Sequence, residues 1–233
     1  MEPMKEKKSI KEMTLNEILA SGCKGATIKE AMPFMQLMMQ YKCALMEVET
    51  KLNVLNMEFA LKNNRNPFES IKSRVKNIFS VIEKLNRKGF EVSMESVEKN
   101  LYDVAGVRVI CPYIDDIYVV AERIRRQDDL RVLIEKDYIK YPKANGYRSF
   151  HMVVEVPVFL SDSKRYVRVE IQLRTIAMDF WASLEHQIRY KMESQIPDEI
   201  SYRLRQCAET IAATDAEMQD LYKEVRALSH NEE

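Results

Sequence analysis

Residues 165–174 alternate between apolar and polar side chains, and this pattern constrains the fold more than any other in the chain. Successive side chains of a β-strand point to opposite faces of the sheet, so the segment predicts a strand with one buried face and one polar face. The apolar members are Val167, Val169, Ile171 and Leu173. The polar members are Arg168, Glu170, Gln172 and Arg174. A sheet face in contact with water gives the same alternation, so both a solvated surface and a functional site fit the pattern.

The rest of the chain predicts further strands between helices. We expect strands at 107–111, 130–139 and 147–156. We expect helices at 31–61, 67–85, 115–127, 175–193 and from residue 197 onward. The last helix opens on Pro197, Asp198 and Glu199, and proline and acidic residues favour a helix N-terminus. The fold class is therefore α+β, a mixed sheet wrapped by helices, with long helices near both ends.

Two of the predicted helices carry apolar side chains that recur every seven residues, as in a coiled coil. The N-terminal seam consists of Met38, Tyr41, Leu45, Val48, Leu52, Leu55 and Phe59. The C-terminal seam consists of Leu204, Cys207, Ile211, Thr214, Met218, Leu221, Val225 and Leu228. Such seams either pack within one chain or join subunits. Their length exceeds what a small domain needs, and this favours an oligomer.

Composition excludes several classes of protein. Lys and Arg together number 36, as do Asp and Glu, so a wholly basic surface for duplex nucleic acid is not expected and an anion site must come from local clustering. The four cysteines are widely separated, which suits the reducing cytoplasm. No segment approaches the roughly 20 apolar residues of a membrane span, and the polar N-terminus does not resemble a signal peptide.

Motifs narrow the chemistry further. Three histidines cannot supply a histidine-rich metal cluster, and neither a P-loop nor a GxGxxG sequence occurs. Asp103 precedes a predicted strand beside small residues, where a carboxylate can hold Mg²⁺ together with phosphate oxygens or can simply cap a turn. Tyr147 lies in a glycine-containing turn, where its ring can stack on a purine or pack internally. The cations of residues 72–88 indicate either phosphate binding or a solvated basic helix.

Four motifs in this order resemble the synthetase domain of the RelA/SpoT family. They are residues 103–108, 138–151, 169–175 and 181–186. The resemblance covers roughly residues 65–195, and the chain is similar to a stand-alone small alarmone synthetase. It implies a nucleotidyltransferase-like sheet of about five strands. It also implies three regions: an N-terminal helical extension at 1–62, a synthetase domain at 63–195, and a C-terminal oligomerisation helix at 196–233.

The resemblance also implies a reaction and the residues that perform it. Enzymes of this family transfer pyrophosphate from ATP to the 3′-hydroxyl of GDP or GTP, which yields AMP and (p)ppGpp. Glu170 would be the catalytic base, and Asp103 with Glu170 would bind Mg²⁺. The implied ATP-binding residues are Arg74, Lys76, Lys84, Arg87 and Arg108. The implied GDP/GTP-binding residues are Lys143, Asn145, Tyr147, His151, Gln172 and Arg174. Within these sets Arg74 and Arg108 would sandwich adenine, and Tyr147 would stack on guanine.

Two other functions remain open at this point. One is a related pyrophosphokinase with another acceptor, such as ATP, GMP or the 3′ end of tRNA. The other is a non-catalytic oligomer that binds guanine nucleotide or single-stranded RNA. Small members of the family are commonly tetramers, so a cytoplasmic homotetramer is expected. Ser70 and Ser73 differ from the Phe and Gly of the branch that pppGpp activates, which argues against that activation here.

Overall fold

The computed structural model describes residues 28–62, 66–191 and 196–230, so the first 27 residues of the predicted N-terminal extension lie outside it. The described helices are α1 (Ile28–Lys62), α2 (Ile78–Arg87), α3 (Met94–Asn100), α4 (Ile114–Arg125), α5 (Ile176–Lys191) and α6 (Asp198–His230). The described strands are β1 (Ser70–Val75), β2 (Ala105–Cys111), β3 (Arg131–Asp137), β4 (Phe150–Phe159) and β5 (Lys164–Thr175). Within these ranges, no helix has the length and hydropathy needed to cross a membrane.

All five strands form one mixed sheet in the order β1-β2-β5-β4-β3. The neighbouring strands β2 and β5 run parallel, and the other neighbours are antiparallel. The predicted α+β class with a five-stranded sheet is confirmed.

One face of the sheet is apolar and closely packed. Val109 of β2 and the β5 residues Val169, Ile171 and Leu173 are fully buried. The alternation in residues 165–174 therefore predicted the buried face of β5 correctly. Helix α4 packs on β2 and β5, which keeps this face away from water.

The opposite face gathers polar residues from four strands. Because paired residues of adjacent strands share a face, the register places Arg74 of β1 beside Gly106, and Gly106 beside Glu170. One step along, the row is Lys72, Arg108, Gln172 and His151. Segments far apart in the chain thus bring their charged groups together on one surface.

The helix predicted at 67–85 is wrong in its first half. Ser70–Val75 is the edge strand β1, and the helix begins only at Ile78, after Asn77 caps it by accepting a hydrogen bond from the Ser80 N–H at 2.8 Å. β1 contains no fully buried residue, and its residues pair with β2 residues 30 to 40 positions away in the chain. Neither feature is visible in a local pattern.

Strand β4 begins later than predicted, at Phe150 rather than residue 147. Tyr147 therefore lies in the loop before the strand and not on the sheet.

The two apolar seams have different environments. Six of the seven N-terminal seam residues are buried within the chain, which supports intrachain packing for α1. They are Tyr41, Leu45, Val48, Leu52, Leu55 and Phe59. The end of the C-terminal seam is exposed, and the buried residues of α6 are instead Ala208, Asp215 and Gln219. The exposed residues are Met218, Leu221, Val225 and Leu228.

The chain divides into two compact units, whose boundaries differ from the three predicted regions. The smaller contains α2, α3 and the start of α1, with Val81, Leu85 and Val97 buried. The larger contains Tyr41–Val75 and Tyr102–Glu233, and so holds the complete sheet together with α4, α5 and α6.

Candidate active site

The polar face of the sheet lines a cavity of about 180 Å³ in the larger unit. β1, β2 and β5 supply its walls, together with the loop that leads into β2. Its charged and polar side chains are Lys72, Ser73, Arg74, Asp103, Arg108, Glu170 and Gln172. The two predicted catalytic carboxylates therefore share one cavity with the two arginines that the sequence predicts at adenine.

Glu170 is held in its ionised form. Burial opposes ionisation, and so does the neighbouring Asp103. The hydrogen bond and electrostatic attraction of His151, together with the hydrogen bond from Gln172, outweigh them and lower the pKa of Glu170. His151 Nδ1 lies 3.2 Å from Oε1, and Gln172 Nε2 lies 2.8 Å from Oε2. A partly buried, ionised carboxylate can accept a proton or bind a cation.

A chain of hydrogen bonds leads from Arg174 to this carboxylate. Arg174 donates to the Tyr147 hydroxyl at 2.7 Å, and that hydroxyl lies 2.8 Å from His151 Nε2. An ionised carboxylate can only accept, so a neutral His151 donates from Nδ1 to Glu170, and its Nε2 accepts the proton of the Tyr147 hydroxyl. This series of hydrogen bonds sets both the tautomer of the neutral His151 and the orientation of the Glu170 carboxylate.

Two cations lie close to the Tyr147 ring. Lys143 Nζ is 4.7 Å from the ring centroid, and the Arg174 guanidinium carbon is 5.2 Å from it. Lys143 Nζ also lies 4.6 Å from the ring centroid of Tyr138, and that ring is nearly perpendicular to the ring of His151. These cation–π contacts place positive charge beside the ring, which favours an anionic ligand there.

Asn145 orders the loop that carries this tyrosine. Its Oδ1 accepts from the Tyr147 N–H at 3.2 Å, and its Nδ2 donates to Glu185 of α5 at 3.1 Å. The structure therefore brings all six predicted GDP/GTP-binding residues into one connected region, although the Asn145 amide is engaged within the protein.

Helix α6 packs directly on the same loop. Trp181 Nε1 donates to the Leu204 carbonyl at 2.9 Å, and Arg148 donates to the Ala208 carbonyl at 3.3 Å. Thr175 donates to the buried Asp215 at 2.6 Å. Burial raises the pKa of Asp215, against the effects of Thr175 and Arg148. The helix near the C-terminus thus supports the loop before β4.

Gly146 approaches helix α6 closely, so we expect a side chain at this position to lower the free energy of unfolding strongly. Its φ is +87°, and an added Cβ would lie 2.5 Å from the Ala208 Cβ. Gly89 has a φ of +71° but open space around it. Gly89→Ala should therefore lower the free energy of unfolding by about 1–2 kcal/mol through backbone strain, and Gly146→Ala by about 1–3 kcal/mol more through the clash.

Urea unfolding of both variants checks this prediction. Ala208→Gly should recover the steric part in the Gly146→Ala background, after its own helix-propensity cost of about 1 kcal/mol is subtracted. Equal losses at the two glycines would contradict the proposed clash.

Sequence reasoning missed two residues of this region. Lys72 lines the cavity because β1 is a strand, so its alternation with Arg74 puts both on one face. Asp179, in the first turn of α5, contacts NH1 of both Arg108 and Arg174 at 3.0 Å. The available signal was an acidic residue five positions after Arg174, the penultimate residue of β5.

Three of the predicted ATP-binding residues lie in the smaller unit. Lys76 precedes α2, while Lys84 and Arg87 occupy its last turn, where cations favour the helix dipole. They do not share one basic helix with Arg74, which the structure places on β1. Their role in phosphate binding stays a prediction.

The carboxylates fit a magnesium ion that arrives with a nucleotide. In the part of the chain that the structure describes, no cluster of three or more His, Cys, Asp or Glu side chains could hold a metal. Asp103 and Glu170 nevertheless line one cavity, and Mg²⁺ usually binds one or two protein carboxylates together with substrate phosphates. This donor set is therefore sufficient in the presence of ATP.

Residues 73–195 match the family model of a region found in RelA/SpoT proteins. The chain belongs to the RelA/SpoT family. GTP pyrophosphokinase YwaC of Bacillus subtilis is 45% identical over 185 residues, which cover 79% of this chain and 88% of that relative. GTP pyrophosphokinase YjbM of the same organism is 36% identical over 186 residues, or 80% of this chain and 87% of the relative.

A solved structure extends the match with the RelA/SpoT family to three dimensions. The small alarmone synthetase 1 from Bacillus subtilis, bound to its product pppGpp, superposes with a TM-score of 0.77 at 34% identity. The match covers 83% of this chain and 98% of that chain. The resemblance stated from four motifs is thereby confirmed, as is the fold class.

Proposed function

We propose that this protein is a GTP pyrophosphokinase, which transfers pyrophosphate from ATP to the 3′-hydroxyl of GDP or GTP and releases AMP. The observation that carries the proposal is the ionised Glu170 in a cavity whose walls hold Lys72, Arg74 and Arg108. The combination of a proton acceptor with several fixed cations suits phosphoryl-type transfer, in which alignment and charge neutralisation dominate. The similar proteins YwaC and YjbM, both named GTP pyrophosphokinases, support the assignment.

In this mechanism Glu170 removes the proton of the acceptor 3′-hydroxyl. The oxygen attacks the β-phosphorus of ATP, the bond from that phosphorus to the α,β-bridging oxygen breaks, and AMP leaves with the bridging oxygen. His151 and Gln172 orient the base through hydrogen bonds of 3.2 and 2.8 Å. A magnesium ion held by Asp103 and Glu170 would supply further neutralisation of phosphate charge.

The nucleotides occupy opposite ends of the polar face. Arg74 and Arg108, on neighbouring strands, bind the adenine of ATP by stacking, for which the flat guanidinium is suited. Lys76, Lys84 and Arg87 bind its phosphates. The guanine of the acceptor stacks on Tyr147, and its remaining contacts are to Lys143, Asn145, His151, Gln172 and Arg174.

The assembly we propose is a homotetramer joined through the helical ends, with residues 63–195 as the catalytic domain, 1–62 as the N-terminal extension and 196–233 as the oligomerisation segment. The exposed Met218, Leu221, Val225 and Leu228 of α6 support an intersubunit contact at this helix. Cys43, Cys111 and Cys207 carry thiols rather than disulfides, which agrees with a cytoplasmic location.

A radiolabel assay tests the function. The protein is incubated with ATP labelled at the γ-phosphate, GDP or GTP, and Mg²⁺, and the nucleotides are separated. We expect the label in (p)ppGpp and an equal amount of AMP. AMP formation only with a different acceptor would instead support the related pyrophosphokinase, and nucleotide binding without AMP would support a non-catalytic protein.

A further inference from the structure

Asp179 joins two arginines that belong to different parts of the site. It lies in the first turn of α5, and its side chain is 15% exposed. Its Oδ1 lies 3.0 Å from NH1 of Arg108, which lines the cavity, and 3.0 Å from NH1 of Arg174, which donates to the Tyr147 hydroxyl. One carboxylate oxygen therefore connects the donor side of the sheet with the acceptor side.

We propose that Asp179 is a positioning residue that couples the ATP half of the site to the acceptor half by holding Arg108 and Arg174 in fixed relation. This inference rests on the proposed function. Asp179 need not touch either nucleotide, because it acts through the two guanidinium groups.

The environment of the two guanidiniums makes this carboxylate necessary. Arg174 is almost fully buried and Arg108 about two-thirds buried, so their mutual repulsion is poorly screened. Burial and the charge of Arg174 lower the pKa of Arg108, and Asp179 opposes both effects. The Nε atoms of both arginines are buried without a hydrogen-bond partner, so each guanidinium is held through its NH groups.

Arg174 carries the effect into the acceptor half. Its NH2 group donates to Tyr147 at 2.7 Å and to Gln172 Oε1 at 3.1 Å. A shift of Arg174 would therefore move the ring proposed to stack on guanine. In contrast, Arg108 has Asp179 as its ion-pair partner among the described residues, so its position depends directly on this carboxylate.

Asp179→Asn removes the charge and keeps an acceptor oxygen of the same reach. Because the lost interactions are charge-assisted, the KM for ATP and the KM for GDP should each rise by about 10-fold or more, while kcat changes less. The matched control is Asp198→Asn, an exposed acidic residue in the first turn of α6, which should leave both constants within about 2-fold. A purely structural loss of folded enzyme would lower kcat and leave KM unchanged.

A double-mutant cycle separates the two links. In an Arg108→Ala background, Asp179→Asn should no longer affect the KM for ATP, because its partner is gone, but should still raise the KM for GDP through Arg174. An undiminished effect on the KM for ATP would overturn the proposal. So would an Asp179→Asn variant that behaves like Asp198→Asn.

Asp179→Glu provides a second variant if Asp179→Asn folds poorly. It keeps the charge on a longer side chain. Its KM values should therefore fall between those of the wild type and those of Asp179→Ser, which lacks the charge. KM values as high as those of Asp179→Ser would contradict a role for the charge. The wild-type reaction, run alongside, tests the proposed function separately: an active wild type with an unaffected Asp179→Asn refutes the coupling alone.

Discussion

Replacing Glu170 by Gln is expected to lower the kcat of (p)ppGpp formation by about 10²–10⁴-fold, the usual contribution of a positioned base. The amide has nearly the same size as the carboxylate but cannot accept the hydroxyl proton. His151 can still donate to its oxygen, so the loop and the Tyr147 ring should keep their positions. We therefore expect nucleotide affinities to change by much less than the rate.

The measurement combines steady-state kinetics with binding of both nucleotides to the purified variant. Glu155→Gln is a suitable control, since Glu155 lies on the neighbouring strand β4 and pairs with Arg131 rather than lining the cavity. Its kcat should stay within about 2-fold of the wild type. A Glu170→Gln enzyme with the wild-type rate would show that another group removes the proton.

Replacing Tyr147 by Ala should have the second largest effect, on the KM for the acceptor. Stacking of a base on an aromatic ring contributes about 1–3 kcal/mol, so the KM for GDP or GTP should rise by about 5- to 150-fold. The KM for ATP should change much less. The ring is positioned in advance by Lys143 and Arg174, so little ordering is needed when guanine binds.

Tyr147→Phe distinguishes the ring from the hydroxyl. Phe retains the stacking surface and should keep the KM for GDP within a few-fold of the wild type, on the order of 3-fold. It removes the partner of His151 Nε2 and of Arg174, so a lower kcat is expected. Equal increases in the KM for ATP and for GDP in Tyr147→Ala would contradict the assignment of this ring to the acceptor.

The sequence predicted those parts of the fold whose patterns are local. Strand β5 was recognisable because Val167, Val169, Ile171 and Leu173 are buried, while the alternating Glu170 and Gln172 line the cavity. Helix α4 was predicted within two residues at each end, since its buried Ile117, Val120 and Ile124 follow helical spacing. Local periodicity is enough where one face of an element meets the core.

It did not predict elements that depend on distant partners. β1 is an edge strand whose backbone pairs with β2, and its cations resemble those of a solvated helix. Asp179 is inconspicuous in the sequence because the two arginines that it joins lie 71 and 5 positions away. The residues of the site came instead from a family resemblance, and the structure supplied the contacts between them.

The two faces of the sheet have different roles, one in stability and the other in function. The buried aliphatic side chains of the apolar face, such as Val169 and Ile171, stabilise the fold. The charged side chains of the polar face serve the reaction, and its cations repel one another. Substitutions on the polar face can therefore alter nucleotide specificity without destabilising the apolar core. Neutralising one of the crowded cations of this face should raise the melting temperature and lower the catalytic activity.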